Sequence, residues 1–399
     1  MKGTGTTTQS IRQDRLKFGT YGFSFIALGL ALAALGPMLP SLAENMGVSL
    51  SKIGMVLTVS NLGYLAGSAG GGRLYDRFKG HHLMSLALIL MVISAILAPL
   101  MPNFYLLLLV FLFFGFGNGL VDIGGNLNLL WVFQSRVGPY MNALHFCFGF
   151  GAFLAPIILN FVMTLSGGAI TWPFWALAVL FLPGLVGLNL LPSPVNPEAD
   201  EEEGKAKKPD SKLVILIIVL LFLYVAVEAG YGSWIFTYVT KLGIAGDSAA
   251  SYMNSAYWGA LTLGRLVAVL LSRKIKPGVL LMGNYILTIV FLVLWMIWPV
   301  APWMLWVGSA GLGLTLASVF PTLLALAETR MKVTGAVTGW FFLGSSLGGT
   351  IFPSLLGVIF EKVGSYQMIL TLFALACLGL VVLAFTLGAS NRVGEKTRA

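Results

Sequence analysis

Charge is what this chain has least of. Only 10% of its 399 residues are Asp, Glu, Lys or Arg, whereas 57% are hydrophobic. Soluble globular chains carry about a quarter charged residues. With a mean hydropathy of +0.89, the composition excludes an ordinary soluble domain and fits a polytopic membrane protein. Cysteine is almost missing as well. Cys147 and Cys377 both sit in apolar segments, which leaves neither a disulfide framework nor a Cys/His metal site. No P-loop, nucleophile elbow or ATP-binding domain is present. GFGNG at 115–119 is not G-x-G-x-x-G, and it follows an apolar run where the dinucleotide motif requires a strand. These absences argue against an enzyme, a cofactor and a bound metal. The net charge of +9 does not imply nucleic acid, because membrane proteins concentrate Lys and Arg on cytoplasmic loops.

What is there is apolar length. A membrane span needs roughly 20 mostly apolar residues. That length predicts twelve helices, at 17–41, 51–74, 82–101, 104–134, 139–164, 171–191, 212–240, 249–272, 277–298, 302–327, 333–360 and 365–388. The first is read as a retained helix, since no small-residue cleavage site follows it. PSPVNPEADEEEGKAKKPDSK, rich in proline and charge, reads as a solvated linker over 192–212. It divides the chain into six-helix bundles at 1–191 and 213–399. Of the 24 lysines and arginines, all but four fall on one side of this topology; Lys52, Lys241 and Lys362 fall on the other, and Arg265 lies within a helix. The asymmetry places both termini and the linker in the cytoplasm.

The halves repeat at an offset of about 197 residues, a repeat architecture known among transporters. GFGAFLAP (149–156) falls on SSLGGTIFP (345–353), pairing Gly151 with Gly348 and Pro156 with Pro353. In the fourth and tenth helices Gly115 and Gly117 pair with Gly311 and Gly313, which sets Asp122 against Ser318. Glycines let helix backbones approach closely.

GGGRLYDRFKG (70–80) resembles the signature loop of the major facilitator superfamily between helices 2 and 3, matching it at Gly72, Leu74, Asp76 and Arg77. His81 and His82 replace its usual basic pair. The resemblance implies the major facilitator fold, an all-α membrane protein of two six-helix repeats. It also implies that Arg73, Asp76 and Arg77 form a gating latch holding the cytoplasmic helix ends together. VDIGGNLNLL (121–130), MNALHFCFGFGAFLAP (141–156), VEAGYGSWIFTYV (227–239), YWGALTLGRL (257–266) and FPTLLALAETR (320–330) are similar to the sodium-dependent glucose transporter and fucose permease branch. That branch implies sugar movement coupled to a cation.

Most acids lie in loops, the linker or the tails. Asp122 and Glu228 do not. A helical rise of about 1.5 Å per residue puts Asp122 roughly 21 Å above Arg136 and Glu228 roughly 24 Å above Lys212. An ionised side chain at such depth costs at least about 2.5–3.5 kcal/mol, so each acid must meet a partner, water or a proton. Those are the requirements of a cation-coupling group, for H⁺ or Na⁺. The other reading is a buried ion pair that locks two helices. Arg265, roughly 12 Å inside the cytoplasmic edge, either pairs with an acid or a substrate oxygen, or snorkels out.

Polar faces surround these groups. Asn118, Asp122 and Asn126 recur every four residues, so they stack on one side of their helix. Asn142 and His145 share a face, as do Tyr224, Glu228 and Tyr231, and likewise Asn254, Trp258, Thr262 and Arg265. Amide, imidazole and carboxylate groups suit sugar hydroxyls. Tyr231, Trp258 and Trp340 are candidate platforms for a sugar's C–H face, although most aromatics in a chain like this pack or form interfacial belts. The expected substrate shell is therefore Asn118, Asn126, Asn142, His145, Tyr231, Asn254, Trp258, Arg265 and Trp340.

The expectation is a secondary transporter of the cell membrane. It acts as a monomer in the bilayer and moves a sugar or related polar solute by alternating access with H⁺ or Na⁺. A proton-coupled exporter of amphipathic drugs or lipids is the alternative. A non-transporting receptor is disfavoured, because no sizeable extramembrane domain is encoded.

Overall fold

The computed structural model describes residues 4–134, 137–194, 211–272, 274–331 and 335–396. These form α1 (Thr4–Met46), the short α2 (Leu50–Ile53), α3 (Met55–Arg77), α4 (Gly80–Leu97), α5 (Phe104–Phe133), α6 (Val137–Leu165) and α7 (Thr171–Leu190) in the first half. The second half contains α8 (Ser211–Lys241), α9 (Asp247–Ser272), α10 (Pro277–Ile297), α11 (Pro302–Leu316), α12 (Val319–Glu328), α13 (Gly335–Lys362) and α14 (Ser365–Lys396). No strand occurs among the described residues. α11 and α12 together make one span, Pro302–Ala327, so the helices correspond to the twelve expected from the sequence. Among the described residues, ten spans are long and apolar enough to cross a membrane. α3 and α9 are the exceptions, the first diluted by glycine and its charged end, the second by Asp247, Arg265 and its serines.

The tenth helix is not continuous, as the sequence suggested, but steps at Ala317 and Ser318. Pro321 explains the step. It has no N–H to offer the Ala317 carbonyl, and its ring crowds that oxygen. Asn284 on α10 donates to Ser318 Oγ at 2.7 Å, and Thr288 Oγ1 donates to Thr315 Oγ1 at 3.0 Å. The broken helix is thus held to α10 by polar side chains in a buried setting.

The chain divides into two compact units. One comprises Met1–Val48 and Val59–Glu203, the other Ser49–Thr58 and Gly204–Ala399. The expected linker lies for the most part outside the described residues. Ser49–Thr58 groups with the second unit through its own hydrogen bonds. Ser354 Oγ donates to the Gly54 carbonyl at 2.8 Å, and Thr58 Oγ1 bonds Ser354 Oγ and the Thr350 carbonyl.

Inside each unit the same pairs pack. α1 lies along α6 and α4 along α7 in the first; α8 lies along α13 and α10 along α14 in the second. Glycine makes the closest of these crossings. A Cβ at Gly151 would overlap the Ile26 carbonyl oxygen, and one at Gly348 would overlap that of Phe222. Glycine and partner are each displaced by nearly the same offset, so the repeat is real in packing as well as in sequence.

The fourth and tenth helices need a different register from the one the glycines alone suggested. Gly115 fits against the Ser60 carbonyl and Gly313 against that of Tyr257. Gly115 therefore matches Gly313, not Gly311, and Asp122 falls on Phe320, not on Ser318. A glycine at every second position aligns equally well two residues away. Only the backbone it touches settles the choice.

Candidate functional site: two intramembrane carboxylates

Asp122 lies on α5 where that helix meets α3. It is half-buried, on the same face as Asn118 and Asn126. Tyr64 Oη, from α3, donates to Asp122 Oδ2 at 2.5 Å. Asn126 Nδ2 donates to Asp122 Oδ1 at 3.1 Å and to the Asp122 carbonyl at 2.9 Å. His145 on α6 interacts electrostatically with the carboxylate, and its ring meets Phe25 edge-on at 5.8 Å. Phe25 in turn fills the space a side chain at Gly125 would occupy. Helical periodicity brings the amides to the acid; glycine brings the helices close enough for the tyrosine to reach it. The Asn142 side chain lies outside the described residues.

Asp122 thus has two neutral donors and a nearby imidazole. Hydrogen bonds to an ionised acceptor are about twice as strong as neutral ones. The arrangement can hold a carboxylate inside the membrane, and it leaves the group free to take a proton. Asn128 is a different case. It is fully buried on another face, donates to the Gly124 carbonyl at 2.7 Å and sits over Gly80 at the start of α4, so it is a packing amide.

Glu228 is on α8, one turn after Tyr224. Arg265 on α9 approaches it, with Nη2 3.8 Å from Oε1. The pair is partly open, the side chains retaining 14% and 29% exposure. Tyr257 Oη donates to the Glu228 carbonyl at 3.0 Å, which pins α9 to α8 beside the pair. The acid therefore has a cationic partner, where Asp122 has neutral donors.

The remaining residues are placed as follows. Tyr231 is buried, its hydroxyl 2.7 Å from Ser309 Oγ and its ring packed near Tyr257 and Trp295. Trp258 is 5% exposed, its ring over Gly232. Asn254 is buried and donates to the Gly232 carbonyl at 3.0 Å. Trp340 on α13 is 57% exposed, so of the three candidate platforms it presents an open ring. Arg73, Asp76 and Arg77 are exposed at the end of α3. Sequence reasoning did not single out Tyr64 or Tyr257. For Tyr64 a signal exists, because it follows Gly63 and precedes Gly67 on a helix whose glycines invite a neighbour.

The sequence pattern of the Major Facilitator Superfamily matches residues 21–353. The chain belongs to that superfamily. Human sodium-dependent glucose transporter 1 is 26% identical over 383 residues, covering 87% of this chain and 74% of that protein. The crystal structure of a mutant of the nucleoside transporter NupG superposes with a TM-score of 0.77 at 15% identity, covering 93% of this chain and 99% of that one. That of a D-xylose-proton symporter gives 0.74 at 13% identity, covering 94% and 97%. At these identities the two structures speak for the fold. The chain is a multi-pass membrane protein with the major facilitator fold, and the three proteins just compared are named as transporters or a symporter.

Proposed function

We propose that this chain is a secondary active transporter that moves a sugar or related polar solute by alternating access, in symport with H⁺ or Na⁺. The observation that carries the reading is Asp122, a carboxylate inside a membrane span whose hydrogen-bond partners are neutral. A structural strut would pair it with a permanently charged Arg or Lys, whereas the ionisable neighbour on α6 is the imidazole of His145. A relative named for sodium-dependent glucose transport and a fold neighbour named as a D-xylose-proton symporter support a sugar and a cation. In this reading Asp122 is the coupling group, with Asn118, Asn126, Asn142 and His145 near it. Glu228 and Arg265 bind solute oxygens between them, Trp340 offers its open ring to the solute, and Asn254, Tyr231 and Trp258, buried in this structure, complete the proposed shell. Arg73, Asp76 and Arg77 latch the cytoplasmic ends, and both termini face the cytoplasm.

The test is uptake of labelled hexoses into proteoliposomes under imposed pH or Na⁺ gradients. Accumulation driven by one gradient supports the reading. No gradient-driven accumulation of any sugar removes it.

The Glu228–Arg265 pair makes its own prediction. Arg265→Met leaves a carboxylate unpaired, and breaking a buried pair costs 3–5 kcal/mol. Because this pair is partly open, screening lowers the expected loss to about 2 kcal/mol. Glu228→Gln with Arg265→Met should recover most of that stability in thermal unfolding without recovering uptake. If the double variant transports like the parent, the pair is a strut between α8 and α9 and nothing more.

A further inference from the structure

Along residues 63–67 the seam between α3 and α5 is backbone against backbone, and towards Gly71 it closes on the Leu120 and Ile123 side chains. A Cβ at Gly63 or Gly67 would overlap the carbonyls of Leu112 and Phe116, and one at Gly115 or Gly119 would overlap those of Ser60 and Tyr64. Backbones in such contact set the register of the seam but leave few side-chain bonds across it. Two phenols cross the seam. Tyr75 Oη donates to the Leu120 carbonyl at 2.8 Å, and Tyr64 Oη to Asp122 Oδ2 at 2.5 Å. A carbonyl keeps its charge; a carboxylate does not. The Tyr64 bond is therefore the one whose strength follows the protonation of Asp122, since a charge-assisted hydrogen bond is about twice as strong as a neutral one.

The other groups around Asp122 are accounted for. His145 comes from α6 and Phe25 from α1, while α4 meets α5 through Ala87 and Met91 at Gly117. Tyr64 and His145 are the titratable side chains among them.

We infer that Tyr64 is a positioning residue of the coupling step: it stabilises Asp122 in its ionised form, and proton arrival there loosens the grip of α5 on α3. α3 runs on to Arg73, nine residues and about 13 Å beyond Tyr64, so the proton's arrival is transmitted along one helix to the cytoplasmic loop. This rests on the coupling role proposed for Asp122 and specifies the proton as its ion.

Tyr64→Phe keeps the ring and removes the donor. Losing a hydrogen bond to the charged form favours the protonated acid. The pH of half-maximal proton-driven uptake should rise by about one unit, a tenfold change in proton affinity. The infrared band of the protonated carboxyl, identified by its loss in Asp122→Asn, should persist to correspondingly higher pH in the purified variant. Hydrogen exchange along residues 59–72, corrected for intrinsic rates, should quicken on acidification in the parent and not in Tyr64→Phe. His145→Gln separates the two neighbours. Superimposed titrations for Tyr64→Phe and the parent, or a shift produced by His145→Gln alone, overturn the inference and leave the transport reading standing. Absence of any carboxyl band that Asp122→Asn removes overturns both this inference and the coupling role of Asp122.

Discussion

Asp122→Asn is expected to abolish accumulation against a gradient while sparing exchange. Asparagine has nearly the same shape and can still accept from Tyr64, so the α3–α5 contact and the fold should survive. What it cannot do is bind a proton or balance a cation. One proton moving down a gradient of one pH unit supports about tenfold accumulation of a neutral solute, because 1.4 kcal/mol is a factor of ten. The variant should level at a ratio of about one, however steep the gradient. Counterflow of labelled against unlabelled solute should continue at a measurable rate. Loss of both activities with an unchanged melting curve would make Asp122 a solute ligand. Retention of both would make it structural.

The largest expected effect on stability lies at the helix crossings. Gly151→Val places a branched side chain where the Ile26 carbonyl already stands, and Gly348→Val does the same at Phe222. Rigid backbone cannot step aside as a flexible side chain can. Overpacking commonly costs 1–3 kcal/mol, and with backbone on both sides these variants should reach or pass about 3 kcal/mol. Thermal unfolding in detergent would show a large drop for each. Gly70 is the contrast. Nothing lies within 4 Å of a Cβ placed there, so Gly70→Ala should be tolerated and should gain up to about 1 kcal/mol from helix propensity. Equal melting temperatures for Gly70→Ala and Gly151→Val would show that the crossings are not close-packed in the membrane.

Much of the architecture was legible in the chain. Apolar length is read directly by the bilayer, so most of the twelve helices could be placed to within a few residues; α1 starts earlier, at Thr4, and α14 runs on to Lys396, because polar residues extend those helices beyond their apolar stretches. The notable miss was the step at Ala317 and Ser318. Pro321 signals it, but proline is tolerated within α1, α6, α7 and α13, so proline alone does not mark a break. The glycine pairs in α5 and α11 could be aligned in two ways from sequence, and the wrong one placed Ser318 opposite Asp122.

The candidate site was legible in a narrower sense. An acid within an apolar run stands out because charge is costly there, and a period of four gathers Asn118, Asp122 and Asn126 on one face. Which helix answers that face is a different matter. Tyr64 lies 58 residues away, and no local pattern links it to Asp122. Tyr231 and Trp258 show the converse: as letters they resemble open sugar platforms, yet their rings are buried within the second unit. Burial of an aromatic depends on its neighbours, and those come from other helices.

By itself, then, the sequence determined the helices, the division into two repeats, the superfamily and the two acids that need a reason to be where they are. Each of these follows from a property carried by one residue or one short segment: apolar length, charge, glycine, a loop motif. Tertiary structure decided what those acids are paired with. Asp122 received neutral donors and Glu228 received Arg265, because backbone contacts across glycine fix which helix faces which and at what height. Close packing is a relation between segments far apart in the chain, and the difference between the two carboxylates arises there.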